Sequence, residues 1–485
     1  MNKKFLCMTL ASAMLLGAAG CGNKKNEVVE EIPTLIYCVA GNPQNDLEAV
    51  EAEINKIIEP KIQAKVDIKF IDWGAYAEKM NMKLTADEYF DIAYGGFDKS
   101  TARKNGALLE LDDLLDKYCK EFKESLPEYV WDAAKVDGVT YFIPNYQCEA
   151  YSKAIAVRKD LAEKYKFDVN GVTKIGDLEP LWQQIRDNEP SLIPFRMQNL
   201  EAFGIDATGE EFESTSFMDS MMYMDWRDCK VYTALDSDYL YKRAKIAYDW
   251  MNKGYFRKDI ATVTDDSSDY ASGRYATFVT GYKPGNEAEI NNETGHEYIL
   301  KEFTKASVDH GMPLATSTVI NSSTKYPEKA MQFVNLLNTD KEVYNLMCFG
   351  IEGKHYKKLS NGKIQVDSKS GYFPNSSWEF GNQFNAYVQE SQDESVWEDT
   401  IKINDSAVVS PIMGIQPFGT DLNTTEKTQC SKIQKEYGVA RMEKGVTDPD
   451  TYWEEYKAAL KKAGAETIRE SYQKQIDDFL ASKSN

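Results

Sequence analysis

Histidine is nearly absent, with three in 485 residues, and no two cysteines form a Cys-x-x-Cys pair. That scarcity argues against a transition-metal site, which needs clustered nitrogen or sulfur ligands. The stretch HEYIL at 296–300 opens like H-E-x-x-H and lacks the second histidine. There is no G-x-S-x-G nucleophile elbow and no G-x-x-x-x-G-K-[ST] phosphate loop. The acidic run DDSSD at 265–269 lacks the glycine and the distal glutamate of an EF-hand loop, so it reads as an acidic loop. Cationic surplus is missing too: 57 Lys and Arg stand against 77 Asp and Glu, a net charge of −20. A surface of that sign excludes nucleic acid and disfavours anionic ligands. Among 77 acidic residues no carboxylate pair for glycoside hydrolysis stands out. No catalytic residue, metal or cofactor is expected.

The first residues are of another kind. Lys3 and Lys4 precede an apolar run of about 15 residues, Phe5 to Ala19, too short to span a bilayer and shaped like a secretory signal. The run ends LLGAAGC, which resembles a bacterial lipoprotein processing site with Cys21 as the lipidated residue, although Ala18 stands where that motif usually has Leu. Ordinary secretory cleavage near Ala19 is the alternative. The expected layout is a signal over 1–20 and a lipid anchor and polar tether over 21–31, with the protein held on the extracellular face of the membrane. Losing Lys3 and Lys4 takes the net charge from −20 to −22. Cys38, Cys119, Cys148, Cys229, Cys348 and Cys430 remain, widely spaced, most of them in apolar segments as small hydrophobes.

About 450 residues follow, too many for one core, so two lobes are expected. TLIYCVA (34–40) is apolar throughout, as a parallel strand covered on both faces should be. Leu47, Val50, Ile54, Ile57 and Ile58 then share one helical face, ended by Pro60. KVDIKFIDW (65–73) and YFDIAYGG (89–96) read as strands, GALLELDDLLDKY (106–118) as a helix and TYFIPNY (140–146) as a strand. The pattern restarts with a strand leading into a helix over 154–161, helices near 177–189, 216–225 and 238–255, a strand at 275–282, and a strand at 317–323 before a helix opened by Pro327. The end of the chain is helical. This order predicts an α/β fold with mostly parallel sheets, whose ligands lie beyond the carboxyl ends of the strands.

Aromatic residues are plentiful, 12% of the chain, with 29 Tyr and eight Trp. Flat rings beside a few polar groups suit a neutral polar ligand such as a sugar, whose C–H face stacks on aromatics. Trp182, Trp250 and Trp453 fall inside helices and read as core, and Trp397 as packing. The candidate ligand-binding residues are Trp73 at a strand end, Trp226 beside Asp225 and Arg227, Tyr282 at a strand end, and Trp378 in the loop YFPNSSWEF. Asn42, Gln44, Asn145 and Gln147 supply amides from loops on the same expected side. One stretch looks more like chemistry: FGIEGKHY (349–356) sets His355 in a Gly-x-x-Gly loop. His355 has no partner in sequence reach, and Gly350 is placed to end a helix in the left-handed conformation, so the loop reads as backbone geometry.

Six segments in order resemble one family. They are LTADEYFDIAYGG (84–96), NGALLELDDLL (105–115), VDGVTYFIPNY (136–146), VRKDLAEKYKFD (157–168), the stretch 327–356 running from PEKAMQFV to GIEGKHY, and 445–479 running from GVTDPDTYW to KQIDDF. Together they resemble the extracellular solute-binding lipoproteins of bacterial carbohydrate ABC importers, in a Gram-positive subgroup with a characteristic C-terminal region. The resemblance implies a periplasmic-binding-protein-like fold with lobe 1 over 32–147 plus 312–352 and lobe 2 over 151–308 plus 356–485. Hinge crossovers would fall near 148–150, 309–311 and 353–355. It implies a monomer that closes on a neutral sugar or oligosaccharide and delivers it to permease subunits powered by a cytoplasmic ATPase. A surface glycoside hydrolase, or a binding lipoprotein for peptides or another polar solute, is the alternative.

Overall fold

The computed structural model describes residues 32–86, 88–197, 215–219, 222–263, 265–415 and 423–483. The signal segment, Cys21 and the tether lie outside the described residues. The first sheet is built on β1 (Thr34–Ala40), flanked by parallel β2 (Lys65–Ile71) and β3 (Ile92–Tyr94). Every residue of β1 from Tyr37 to Ala40 is buried, which is what its unbroken apolar run requires. Helix α1 (Leu47–Ile62) lays Val50, Ile54, Ile58 and Ile62 against this sheet. Burying those four side chains contributes roughly 6–12 kcal/mol before the cost of ordering them. Pro60 sits inside the last turn of α1 rather than ending it; the stop is Gln63, in the left-handed conformation with φ 51°.

Ser317–Ile320 and Ile143–Pro144 complete the first sheet, and Ser317–Ile320 runs antiparallel to both its neighbours. Because Ile143–Pro144 is antiparallel to that strand, it runs parallel to β3. The ends Gly41, Asp72, Gly95 and Asn145 therefore share one edge. Several expected elements shrink, among them the helix drawn over 106–118, which covers Asp112–Tyr118, the strand drawn over 89–96, which covers Ile92–Tyr94, and β2, which stops at Ile71 because Asp72 caps the next helix.

The second sheet orders its strands Tyr298–Glu302, Ser152–Arg158, Tyr275–Tyr282, Ile193–Arg196. Only the pair of Tyr275–Tyr282 with Ile193–Arg196 is parallel. The expectation of mostly parallel sheets therefore fails here. Ser152–Arg158 leaves the crossover region and Tyr275–Tyr282 returns to it, so the two lie antiparallel. A further departure is the helix expected at 216–225, which is two strands, Thr215–Asp219 and Met222–Asp225, joined to Lys230–Thr233 in an antiparallel sheet. Cross-strand packing, with Tyr223 stacked on Tyr232 at 5.4 Å, overrides the helical leaning of its methionines. Helices Thr424–Glu436, Trp453–Ala463 and Ala465–Lys483 cover this sheet. Their Cys430, Trp453, Tyr456, Ile468 and Ile476 share a core with Met222, Met224 and Leu240.

Three segments run side by side between the two large cores. Ser307–Val308 pairs parallel with Val408–Val409, Tyr151 bridges Ser307, and Asn404 accepts hydrogen bonds from the backbone N–H groups of Glu149 and Ala150 at 3.0 and 3.1 Å. The third crossing is thus at 408–409 and not at 353–355. Tyr356, Ile364, Tyr372, Phe380 and Ala386, expected in lobe 2, are buried in the same core as β1. After the hairpin Tyr356–Lys358 and Ile364–Val366, Phe373 N donates to Gln44 and Glu379 accepts from Ala40 N, long-range contacts to the first lobe that are invisible to local pattern. Cys38, Cys119 and Cys348 are buried reduced thiols.

Candidate functional site

Asp72 accepts a hydrogen bond from Gly74 N at 3.0 Å and so starts helix α2 (Trp73–Thr85) with Trp73 as its first residue. Trp73 is 41% exposed, on the carboxyl edge of the first sheet. Its ring lies 5.5 Å from Trp378 and 6.4 Å from Tyr94, and Tyr94 lies 6.0 Å from Trp378. The Tyr76 hydroxyl donates to the carbonyl of Tyr94 at 2.6 Å, fixing the strand end beneath this cluster. Gly95 and Gly96 follow, and a side chain at either would displace a neighbour: a Cβ would lie 2.5 Å from Ser317 Oγ at the first and 2.4 Å from the Tyr94 ring at the second. Beside them Lys99 donates to Leu314 O at 2.7 Å and Ser317 Oγ at 3.1 Å, and burial pulls its pKa down to about 8. Sequence reasoning brought out Trp73 and Trp378 but missed Tyr94, Tyr76 and Lys99. The glycine pair after an apolar run was the available signal for Tyr94.

The amides have other duties. Asn145 is fully buried, donates to Glu379 O at 2.6 Å and accepts from Thr318 Oγ1 at 2.9 Å, so it locks the crossover strand instead of reaching a ligand. Gln147 donates to Thr316 Oγ1 at 2.7 Å. Gln44 accepts from Phe373 N at 2.6 Å and donates to Asn42 O at 2.8 Å, which ties the first loop to the segment leading to Trp378. Asn42 itself is exposed at the edge.

Tyr282 is half-buried and pairs with Ser152 at the crossover end of the second sheet. Burial first, then Glu302, Glu287 and Asp399, raise its pKa. Trp226 opens the turn between Met222–Asp225 and Lys230–Thr233, not the end of a helix, and packs against the core that the C-terminal helices complete. Asp225 holds Arg227 through two contacts of 2.9 and 3.0 Å at Nε. Trp226 therefore stands on a different core from Trp73 and Trp378.

His355 is fully buried. Its Nδ1 accepts from Ile351 N at 2.9 Å, which leaves the proton on Nε2, facing Asp46 at 3.1 Å. Lys354, then His355, hold the Asp46 carboxyl below its usual range. Gly350 has φ 72° and ψ −142°, so it is not a left-handed cap; a Cβ there would sit 2.3 Å from His355 Nδ1. The loop fastens the start of α1 to the first lobe. The acids of DDSSD are equally occupied: Asp266 pairs with Arg196 at 2.6 Å, Asp269 with Arg257 at 2.9 Å, and Asp265 accepts from Ser267 N. Two carboxyls, Glu149 and Glu379, are pushed up by burial to about 8. Both are sealed inside, at 1% and 0% exposure, where neither can protonate a bound glycosidic oxygen. What the edge offers a ligand is an exposed aromatic platform.

Residues 45–199 match the family described as bacterial extracellular solute-binding protein, and 418–481 match a domain of unknown function. A carbohydrate ABC transporter substrate-binding protein of Streptococcus pneumoniae is 28% identical over 483 residues, 97% of each chain. The N-glycan transport solute binding protein NgtS of Streptococcus pneumoniae is 25% identical, with TM-score 0.80 over 93% of this chain and 100% of that one. Its complex with Man1GlcNAc is 26% identical, with TM-score 0.69 over the same shares.

Proposed function

We propose that this chain, which has the solute-binding-protein fold and matches that family over residues 45–199, captures a neutral oligosaccharide between its lobes for import. The observation that carries the reading is the Trp73 ring, 41% exposed and backed by Trp378 and Tyr94 at the carboxyl edge of the first sheet. Such rings stack on the C–H faces of sugars, and the edge is where open α/β sheets take ligands. The three adjacent crossings at 149–151, 307–308 and 408–409 are narrow enough to rotate about. In keeping with two lobes in different relative placements, the chain superposes on NgtS with TM-score 0.80 and on its complexes with Man1GlcNAc and Man5GlcNAc with 0.69 and 0.66. We further propose that the protein works as a monomer, is anchored by lipid on Cys21, and hands its ligand to permease subunits driven by a cytoplasmic ATPase. Differential affinity between open and closed forms is sufficient for that cycle and requires no covalent step.

The test is thermal unfolding of the purified mature chain against a panel of mannose- and N-acetylglucosamine-containing oligosaccharides. A ligand that binds only the folded form raises the melting temperature. No shift with any member, or release of new reducing ends from one, would overturn the proposal.

A further inference from the structure

The region that matches a domain of unknown function, 418–481, touches the hairpin that carries Trp226 at two levels. Arg469 pairs with Asp236 beyond the base of strand Lys230–Thr233. One helical turn on, Gln473 accepts from Val231 N at 2.9 Å and donates to Cys229 O at 3.0 Å, so a single side chain holds both backbone groups at the end of the turn. The same helix, Ala465–Lys483, then reaches the first lobe: Lys483 Nζ donates to Met413 O at 2.8 Å and stands 3.8 Å from Asp132 Oδ2. Asp132 belongs to helix Glu128–Ala134, whose Val130 and Trp131 are part of the first core. Along the helix the order is hairpin base, hairpin turn, first lobe. The turn of Trp226 therefore points toward the first lobe, about 15 Å of helix short of it, counting ten residues from Gln473 to Lys483.

We infer that the C-terminal region is a positioning module for ligand recognition, and that Gln473 is the positioning residue that holds the Trp226 turn toward the first lobe. This rests on the oligosaccharide reading above. Gln473 touches no ligand; it fixes the backbone from which Trp226 presents its ring. An edge strand held by one side-chain amide at the turn keeps its ring in one place, and pre-organisation of that kind is expressed in affinity.

The experiment titrates the mature chain calorimetrically with an oligosaccharide of the panel, with Man5GlcNAc as first probe, using wild type, Gln473→Ala, Trp226→Ala and the double variant. Each single change is expected to weaken binding at least fivefold, and the double variant to bind no worse than Trp226→Ala. The Trp226 emission, taken as wild type minus Trp226→Phe, is expected to move to longer wavelength in the Gln473→Ala background. Gln473→Glu keeps the acceptor for Val231 N–H and loses the donor to Cys229 O, so it should fall between, and it replaces Gln473→Ala if that variant does not fold. Lys474→Ala, on the same helix and paired only with Asp478 in the contacts described, should bind as wild type does. Wild-type affinity in Gln473→Ala, or losses that multiply in the double variant, would overturn the inference while leaving oligosaccharide capture intact. If the wild type binds no member of the panel, both fall together.

Discussion

Glu379 adjoins Trp378 in sequence and is fully buried, its Oε1 accepting from Ala40 N at 2.6 Å. Burial raises its pKa from an ordinary 4.5 to about 8. Between those values the unfolded chain releases this proton and the folded chain keeps it. The contribution to stability is therefore complete below about 4.5, declines as the pH rises toward 8, and is gone above it. Each pH unit inside the window removes ~1.4 kcal/mol, so moving from pH 5.5 to 7.5 removes ~3 kcal/mol. Glu379→Gln keeps an acceptor for the Ala40 N–H and cannot ionise. It should match the wild type near pH 5 and exceed it by ~3 kcal/mol at pH 7.5. Urea unfolding of both proteins from pH 5 to 8.5 measures this difference directly. Glu149 behaves alike in the two chains and cancels. A difference that stays constant with pH, or a variant less stable above pH 7, would refute the assignment of a neutral buried carboxyl.

Trp73→Ala and Trp378→Ala should each weaken oligosaccharide binding by about 1–3 kcal/mol, on the scale of a lost ring stack. The double variant should lose less than the sum, because the rings are 5.5 Å apart, and calorimetric titration that finds either single change silent would remove that ring from the site. His355→Ala strands the buried Ile351 N–H and should lower stability by about 1–3 kcal/mol while leaving ligand affinity unchanged; a loss of affinity measured where the variant is fully folded would return this loop to the binding site. Gly350→Ala should cost at least ~1–3 kcal/mol from its positive φ alone, read as a lower melting temperature.

Apolar patterning determined where most elements lie. The run TLIYCVA became a fully covered central strand and Val50, Ile54 and Ile58 became the buried face of α1, because period and hydrophobicity are local properties. The same logic put Trp182, Trp250 and Trp453 in cores, where all three are buried. It also nominated Trp73 and Trp378, since ring surface on the edge side of a sheet is written in composition and order. Local pattern did not settle 216–225, where an apolar stretch without clear period took its conformation from strands across from it. Nor did it place 356–386, which joined the first core through contacts with residues more than two hundred positions away. Asn145 and Gln147 carried suitable chemistry at suitable places, yet their partners Glu379, Thr318 and Thr316 come from distant segments and consume it. Whether a polar side chain meets ligand or backbone depends on what folds against it, and the chain writes those neighbours far apart.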